Sequence, residues 1–203
     1  GANSTITSLT SLSSINGGQL AGMRNRIING AMQIDQRNAG VAITPAALAF
    51  PVDRFVCELT SASALTFQQV SDAPVGFATS VKITVAATAA IAAGTNNNFG
   101  QAIEGFNLTD LGWGTANAKA VTVSFWIKSS VVGTYSAHLR NIGDAYFYIA
   151  TYTVNIANTW EYKTITIPGP VVGTWNSTNG RGVLLHVVNL GNGSTFEGTA
   201  GSW

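Results

Sequence analysis

The chain has 203 residues, of which only 9% are charged and 46% are hydrophobic. This apolar content is sufficient for a folded core, so the low charge does not indicate disorder. The net charge is +1, and the sequence contains neither a basic run nor an apolar run as long as a membrane span. We therefore predict no nucleic-acid partner and no membrane insertion. The single cysteine, Cys57, excludes an intrachain disulfide and a cysteine-based zinc site.

The first 22 residues form a Ser/Thr-rich segment with an apolar residue at every third position. These apolar residues are Ile6, Leu9, Leu12 and Ile15. A spacing of three drifts around an α-helix and alternates between the faces of a strand, but it stays on one side of a threefold extended chain. The pattern favours the end of a multichain shaft, with a flexible linker or a short helix as alternatives.

Residues 23–51 are predicted to be a collar or linker between this shaft and a globular part. Arg24, Arg26, Asp35 and Arg37 are expected to form ion pairs there. Within the collar, Ala31–Gln36 is predicted to be a short strand. Residues 41–51 are predicted to lack regular structure because they contain Pro45 and Pro51.

From residue 52 onwards the chain is predicted to be entirely β. Short alternating segments are separated by turn residues, and no amphipathic helix intervenes, which is typical of an antiparallel β-sandwich. The predicted strands are Phe55–Leu59, Leu65–Val70, Ser80–Ala86, Phe99–Gly105, Val121–Lys128, Thr134–Arg140, Tyr146–Val154, Trp160–Ile167 and Val183–Leu190. Residues 107–117 are predicted to be a long loop.

Several ordered segments resemble a domain found in bacteriophage tail-fibre and tail proteins. They are NRIINGAMQIDQRNAG, followed by VDRF, then QQVSDAPVGFATSVKITV, IEGFNLTDLGWGTANAKAVTVSFWIKSS, TWEYKTITIPGPVVGTW and the final GSTFEGTAGSW. The leading GANSTITSLTSL is similar to the short repeats that precede such heads. The resemblance extends along nearly the whole chain.

The resemblance implies a galactose-binding-like jelly-roll head, similar to carbohydrate-binding modules, on a homotrimeric fibre. We therefore predict a shaft end over residues 1–22, a collar over 23–51 and a head over 52–203. Proteins of this family continue with at least two more strands, so the sheet of this chain is expected to be incomplete at Trp203. The implied location is the virion tail, after synthesis in the host cytoplasm, and a chain with one cysteine fits assembly in that reducing compartment. The implied partners are host surface polysaccharide and other phage tail proteins.

A carbohydrate site requires flat aromatic faces for the sugar ring and polar side chains for its hydroxyl groups. Trp126 is the strongest candidate because alternation places it beside Lys128 on the polar face of its strand. His138 and Arg140 lie on the outward face of the next predicted strand, which is a candidate for the same surface. The alternative is that a second sheet or a neighbouring chain covers this face, so that Trp126 is a core residue.

Two further tryptophans, Trp113 and Trp175, lie on glycine-rich loops. Aromatic residues on loops often belong to binding sites, although each of these could instead plug one end of the sandwich. Trp160 and Tyr162 head a strand and are predicted to be core residues.

No motif for catalysis, metal binding or cofactor binding is evident. His138 and His186 lack a third ligand by spacing, and His186 is predicted to be buried in the core. The acidic residues are scattered, with Glu104 and Asp110 the only near pair. We therefore predict no enzymatic activity, no metal and no cofactor.

Three functions are compatible with this sequence. The favoured function is a receptor-binding tail fibre that attaches to host glycans. The second is a structural tail or baseplate protein that docks to other tail proteins without binding glycan. The third is a polysaccharide-degrading tailspike.

Overall fold

The computed structural model describes residues 25–60, 65–87, 90–141, 143 and 146–203. The predicted shaft over residues 1–22 lies outside these residues, as does Arg24 of the predicted collar. None of the helices among the described residues is long and apolar enough to cross a membrane.

The described residues form β-strands with two short 3-10 helices. The strands are β1 (Ala49–Val52), β2 (Phe55–Glu58), β3 (Leu65–Val70), β4 (Ser80–Val85), β5 (Asn96–Glu104), β6 (Val121–Ile127), β7 (Gly133–Asn141), β8 (Phe147–Val154), β9 (Glu161–Ile167) and β10 (Arg181–Asn192). The 3-10 helices are Gly105–Leu111 and Ser194–Phe196. The all-β class is therefore confirmed, while the finer prediction of a jelly-roll head preceded by a shaft stays a prediction.

Six strands form one antiparallel sheet in the order β1-β2-β5-β10-β7-β8. Two separate antiparallel ribbons, β3-β4 and β6-β9, pack against one face of that sheet. We call this the ribbon-side face of the sheet and the opposite one its far face. Since side chains alternate along a strand, each strand of the sheet contributes residues to both faces.

Two main apolar clusters join the layers. Under the β3-β4 ribbon, Phe67 packs with Phe55 and Phe99, whose rings are 5.6 Å apart. Under the β6-β9 ribbon, Ile167 belongs to a cluster that includes Leu139 of the sheet. Burial of these side chains stabilises the two-layer arrangement by roughly 1.5–3 kcal/mol per large residue.

Two local predictions for the collar residues are wrong. Ala31–Gln36 is not a strand, because Met32 has a φ of 55° and the side chain of Asn29 bonds both backbone groups of Ile34. Residues 41–51 are not wholly irregular, since Ala49–Val52 pairs with β2. The sheet accepts Pro51 because β1 is an edge strand, where a missing backbone N–H is tolerated.

The predicted loop over residues 107–117 also contains regular structure, since the 3-10 helix Gly105–Leu111 occupies its first part. Leu108 and Leu111 are buried in the cluster under the β6-β9 ribbon. The periodicity of two that identified the strands gives no signal for so short a helix.

Candidate functional site

An exposed aromatic surface lies on the outer side of the β6-β9 ribbon. Trp126 and Tyr162 are direct cross-strand partners, and their rings are 5.3 Å apart with a tilt of 53°. Trp126 is 40% exposed and Tyr162 is 55% exposed. Trp160, two residues before Tyr162, is half-buried. We call these three residues the aromatic platform.

The exposure of Tyr162 and the partial exposure of Trp160 contradict the prediction that both are core residues. The cause is the register of the ribbon. Val123 and Ile165 are paired and face the sheet, so alternation turns Trp126 and Tyr162 to the outside.

A charged pair and a row of hydroxyl groups border the platform. Asp72 accepts a hydrogen bond from Lys128 Nζ at 2.6 Å and another from Trp160 Nε1 at 3.2 Å. These contacts lower the pKa of the Asp72 carboxyl, the bond from Lys128 being the main cause. The Lys128 ammonium lies 5.9 Å from the centre of the Trp160 ring. Further along the ribbon the exposed side chains are Thr122, Ser124, Thr164 and Thr166.

This arrangement has the components that sugar recognition requires. The rings offer apolar faces for C–H groups, while the ammonium, carboxylate and hydroxyl groups offer donors and acceptors for sugar hydroxyls. The cross-strand pairing and the Asp72 contacts hold the aromatic side chains before any ligand arrives, which reduces the entropy lost on binding.

The other two candidate tryptophans lie elsewhere, in a packed aromatic cluster. Trp113 is only 8% exposed, and its ring meets those of Trp175 and Trp203 edge-on at 4.9 and 5.8 Å. Each indole N–H donates to a backbone carbonyl, at Lys119, Val172 and Pro168 respectively. The cluster joins the loops at this end of the ribbon to the sheet.

His138 and Arg140 are separated from Trp126 by the thickness of the molecule. Ala137 and Leu139 point to the ribbon side, so His138 and Arg140 occupy the far face of the sheet, where both are buried and not exposed as predicted. That face is not the surface of Trp126, however, because β6 belongs to the other layer. The sequence could not assign strands to layers, since the pairing partners are distant in the chain.

On the far face, a buried polar network crosses four strands. Glu58 of β2 forms ion pairs with Arg140 of β7 and with Arg181 of β10. The Arg140 pair spans the intervening strands β5 and β10. His186 Nδ1 lies 2.8 Å from His138 Nε2, and His138 Nδ1 lies 2.8 Å from Asn189 Oδ1.

Both histidines of this network are neutral at neutral pH. Burial, followed by the positive charge of Arg140, lowers the pKa of His138 to about 4. Burial and the neighbouring His138 and Arg140 also lower the pKa of His186 well below its usual value. The Nε2 atom of His186 is buried without a hydrogen-bond partner among the described residues and lies 3.7 Å from Glu58 Oε2. No metal-binding group of three or more such side chains occurs in the part of the chain that the structure describes.

The two acidic residues singled out by spacing are engaged by separate arginines. Arg54 pairs with Glu104 at 2.6 Å, and Arg26 pairs with Asp110 at 2.7 Å. The Glu104 pKa is lowered, chiefly by the hydrogen bond from Arg54.

No protein-family model matches the chain, and no curated protein matches it. Among solved structures, the chain is similar to the crystal structure of the enzymatically active domain of tailspike protein 4 from bacteriophage CBA120. The identity is 16% and the TM-score is 0.45. The match covers 81% of the present chain and 21% of the other, so this chain corresponds to about a fifth of that chain.

The comparison corrects one prediction. The sequence predicts no enzymatic activity, whereas the solved phage tail domain to which the chain is similar is named as enzymatically active. We therefore withdraw the exclusion of enzymatic activity. A likeness of this degree assigns no substrate and no reaction to the present chain, and the similarity that it records is to a domain of a phage tail protein.

Proposed function

We propose that the chain is a phage tail component that attaches the virion to glycans on the host cell surface through the aromatic platform. The observation that carries the proposal is the exposure of Trp126 and Tyr162 as a preformed pair on an otherwise polar strand face. A contiguous exposed apolar patch with a polar rim is typical of an interaction site, whereas isolated exposed apolar residues are common on any surface.

The borders of the platform favour a saccharide as that partner. A sugar ring can stack on Trp126 while its hydroxyl groups bond the Lys128–Asp72 pair at one end. The threonine and serine hydroxyls of the ribbon extend the polar surface in the other direction, so a chain of several sugars can follow the strands. Because Lys82 also lies near Asp72, the charge at this border favours neutral or acidic sugars over basic ones.

Attachment through such a shallow surface becomes stronger when several copies of it bind at once. In a homotrimer, weak binding by each head is multiplied when several heads engage one polysaccharide. The family resemblance supports this arrangement, in which the head is carried on a virion fibre with other tail proteins as its neighbours.

A glycan array probed with the full chain tests the proposal, using surface polysaccharides of candidate host bacteria. We expect binding to at least one polysaccharide, and we expect Trp126→Ala to give a strongly reduced signal. The matched control is Phe106→Ala, which removes an exposed aromatic residue from the 3-10 helix, outside the platform.

Two results would change the assignment. If no polysaccharide binds, the platform does not recognise host glycan, and docking to another tail protein becomes the function to test. If a bound polysaccharide releases reducing ends during incubation, the chain also degrades its receptor. The release of reducing ends therefore measures enzymatic activity directly.

A further inference from the structure

A cleft lies on the far face of the sheet, on the side of the molecule opposite to the aromatic platform. It has a volume of about 490 Å³ and is lined by Ser136, Ile149, Asn189, Asn192, Phe196 and Glu197, among others. Its size falls within the range of small-molecule sites, about 300–1,000 Å³. The residues that follow β10 form one wall, and Gly201 N anchors them by donating to Ile149 O at 2.8 Å.

The floor of the cleft is held by the polar network of the far face. Asn189 Nδ2 donates to Ser136 Oγ at 2.6 Å, while Asn189 Oδ1 lies 2.8 Å from His138 Nδ1. Both ends of the Asn189 amide are thus engaged, and His138 is in turn fixed by His186. Ser136 Oγ already accepts a hydrogen bond, so its O–H remains to donate, and it meets no acceptor among the described residues.

The wall of the cleft supplies an acceptor and an apolar surface. Glu197 is exposed, and no described residue forms a hydrogen bond or ion pair with its carboxylate. Phe196, next to it in the chain, is half-buried, and Ile149 of β8 also lines the cleft. A cleft with a free O–H donor, a free carboxylate and an aromatic ring presents complementary groups to a polyhydroxylated ring.

The charge of the cleft restricts the ligand further. Among the described residues that line the cleft, Glu197 is the only charged one, and the Arg140 guanidinium on the same face is paired with Glu58. An anionic ligand would therefore meet a carboxylate that no cation of these described lining residues compensates. The neutral His138 adds no positive charge at neutral pH.

We propose that this cleft is a binding site for a single neutral sugar residue, separate from the aromatic platform. Sugar hydroxyls donate to the Glu197 carboxylate and accept from the Ser136 O–H, while a face of the ring lies against Phe196. His138 and His186 act as positioning residues, because they hold the Asn189 amide that fixes the Ser136 hydroxyl. The site rests on its own contacts and does not depend on the proposed role of the platform.

Titration of the full chain with neutral monosaccharides, followed by NMR, tests this site. Glucose, galactose and N-acetylglucosamine are the probes, with glucuronate as the anionic comparison. We expect at least one neutral sugar to shift the Ile149 methyl signal and the Glu197 and Gly198 amide signals in a saturable way. Glucuronate should bind more weakly than glucose.

Variants identify the groups responsible. Ser136→Ala and Glu197→Gln should each weaken binding by about fivefold, the loss expected for one hydrogen bond of about 1 kcal/mol. Thr151→Ala is the matched control, because Thr151 pairs with Ser136 across the sheet but does not line the cleft. Trp126→Ala should leave these shifts intact.

Three outcomes would overturn the proposal. The first is the absence of a saturable shift at the cleft with every neutral sugar. The second is unchanged affinity in both Ser136→Ala and Glu197→Gln. The third is loss of the cleft shifts in Trp126→Ala, which would place all sugar binding on the platform.

Discussion

At the scale of single residues, the two buried histidines make the folded chain less stable at acidic pH. The folded-state pKa of His138 is about 4, below its usual value of 6.5. Between these values the unfolded chain takes up a proton that the folded chain excludes, so stability is complete above pH 6.5 and falls as the pH is lowered. The shift of His186 acts in the same direction.

We therefore expect the free energy of unfolding to fall by about 3 kcal/mol between pH 7 and pH 4 through His138 alone. His138→Gln keeps a hydrogen-bonding side chain but removes the titration, so its loss over this range should be smaller by about 2 kcal/mol or more. Urea unfolding of both proteins at several pH values measures the difference. Equal losses in the two proteins would show that His138 is not excluded from protonation in the folded state.

Residue identity alone gave part of the candidate site. Trp126 could be named as a candidate from the sequence because alternation places this tryptophan among the polar residues of its strand. Tyr162 was missed because it belongs to a strand in which only the cross-strand register, Trp126 opposite Tyr162, fixes the exposed face. Asp72 was missed since its contact with Lys128 joins residues 56 positions apart.

At the scale of elements, Gly100 lets β5 and β10 approach closely. A Cβ atom at position 100 would lie 1.9 Å from Leu185 O and 2.6 Å from His186 Cα, both of them backbone atoms of β10. The register between these strands shifts next to His186, which indicates a bulge at this point. His186, which pairs with Gly100 across the two strands, belongs to the polar network of the far face.

Gly100→Ala should therefore destabilise the fold by roughly 1–3 kcal/mol or more, because the backbone of a central strand has to move. Gly94→Ala is the matched control, since a Cβ atom there meets nothing within 4 Å. Thermal unfolding of the two variants should show a lower midpoint only for Gly100→Ala. Similar midpoints would contradict the close approach of β5 and β10.

The strands themselves were largely predictable from the sequence. Leu65–Val70 was predicted with its observed bounds, and Val121–Lys128 ends one residue beyond β6. Alternation of side chains carries this information locally. The short strand β1 was not predicted because it contains Pro51. Ala31–Gln36 was wrongly predicted as a strand because hydrogen bonds of the Asn29 side chain, which alternation does not reveal, shape this segment.

At the scale of the whole molecule, the second layer is divided into two ribbons, and the sheet presents its far face on the opposite side. The aromatic platform belongs to one side and the polar cleft to the other. The sequence predicted an antiparallel β fold but could not separate these sides, because β5, β7 and β10 meet only through long-range pairing. Trp126 and His138 were grouped for that reason.

Within this arrangement, one tryptophan stabilises the fold and a different one serves the proposed attachment function. Trp113→Ala should lower the free energy of unfolding by about 3–5 kcal/mol, because it empties the centre of the buried aromatic cluster. Trp126→Ala should cost much less, since its ring is partly exposed. Chemical unfolding of both variants measures the contrast, and equal losses would place Trp126 in the core.

The glycan affinity of the platform tests the central claim most directly. Calorimetric titration of a polysaccharide that binds the wild-type chain should show affinity weakened by about tenfold or more in Trp126→Ala, equivalent to about 1.4 kcal/mol. Phe106→Ala should bind like the wild type, and both variants should keep the wild-type unfolding midpoint within a few degrees. Unchanged affinity in a folded Trp126→Ala protein would contradict the assignment of the platform as the attachment site.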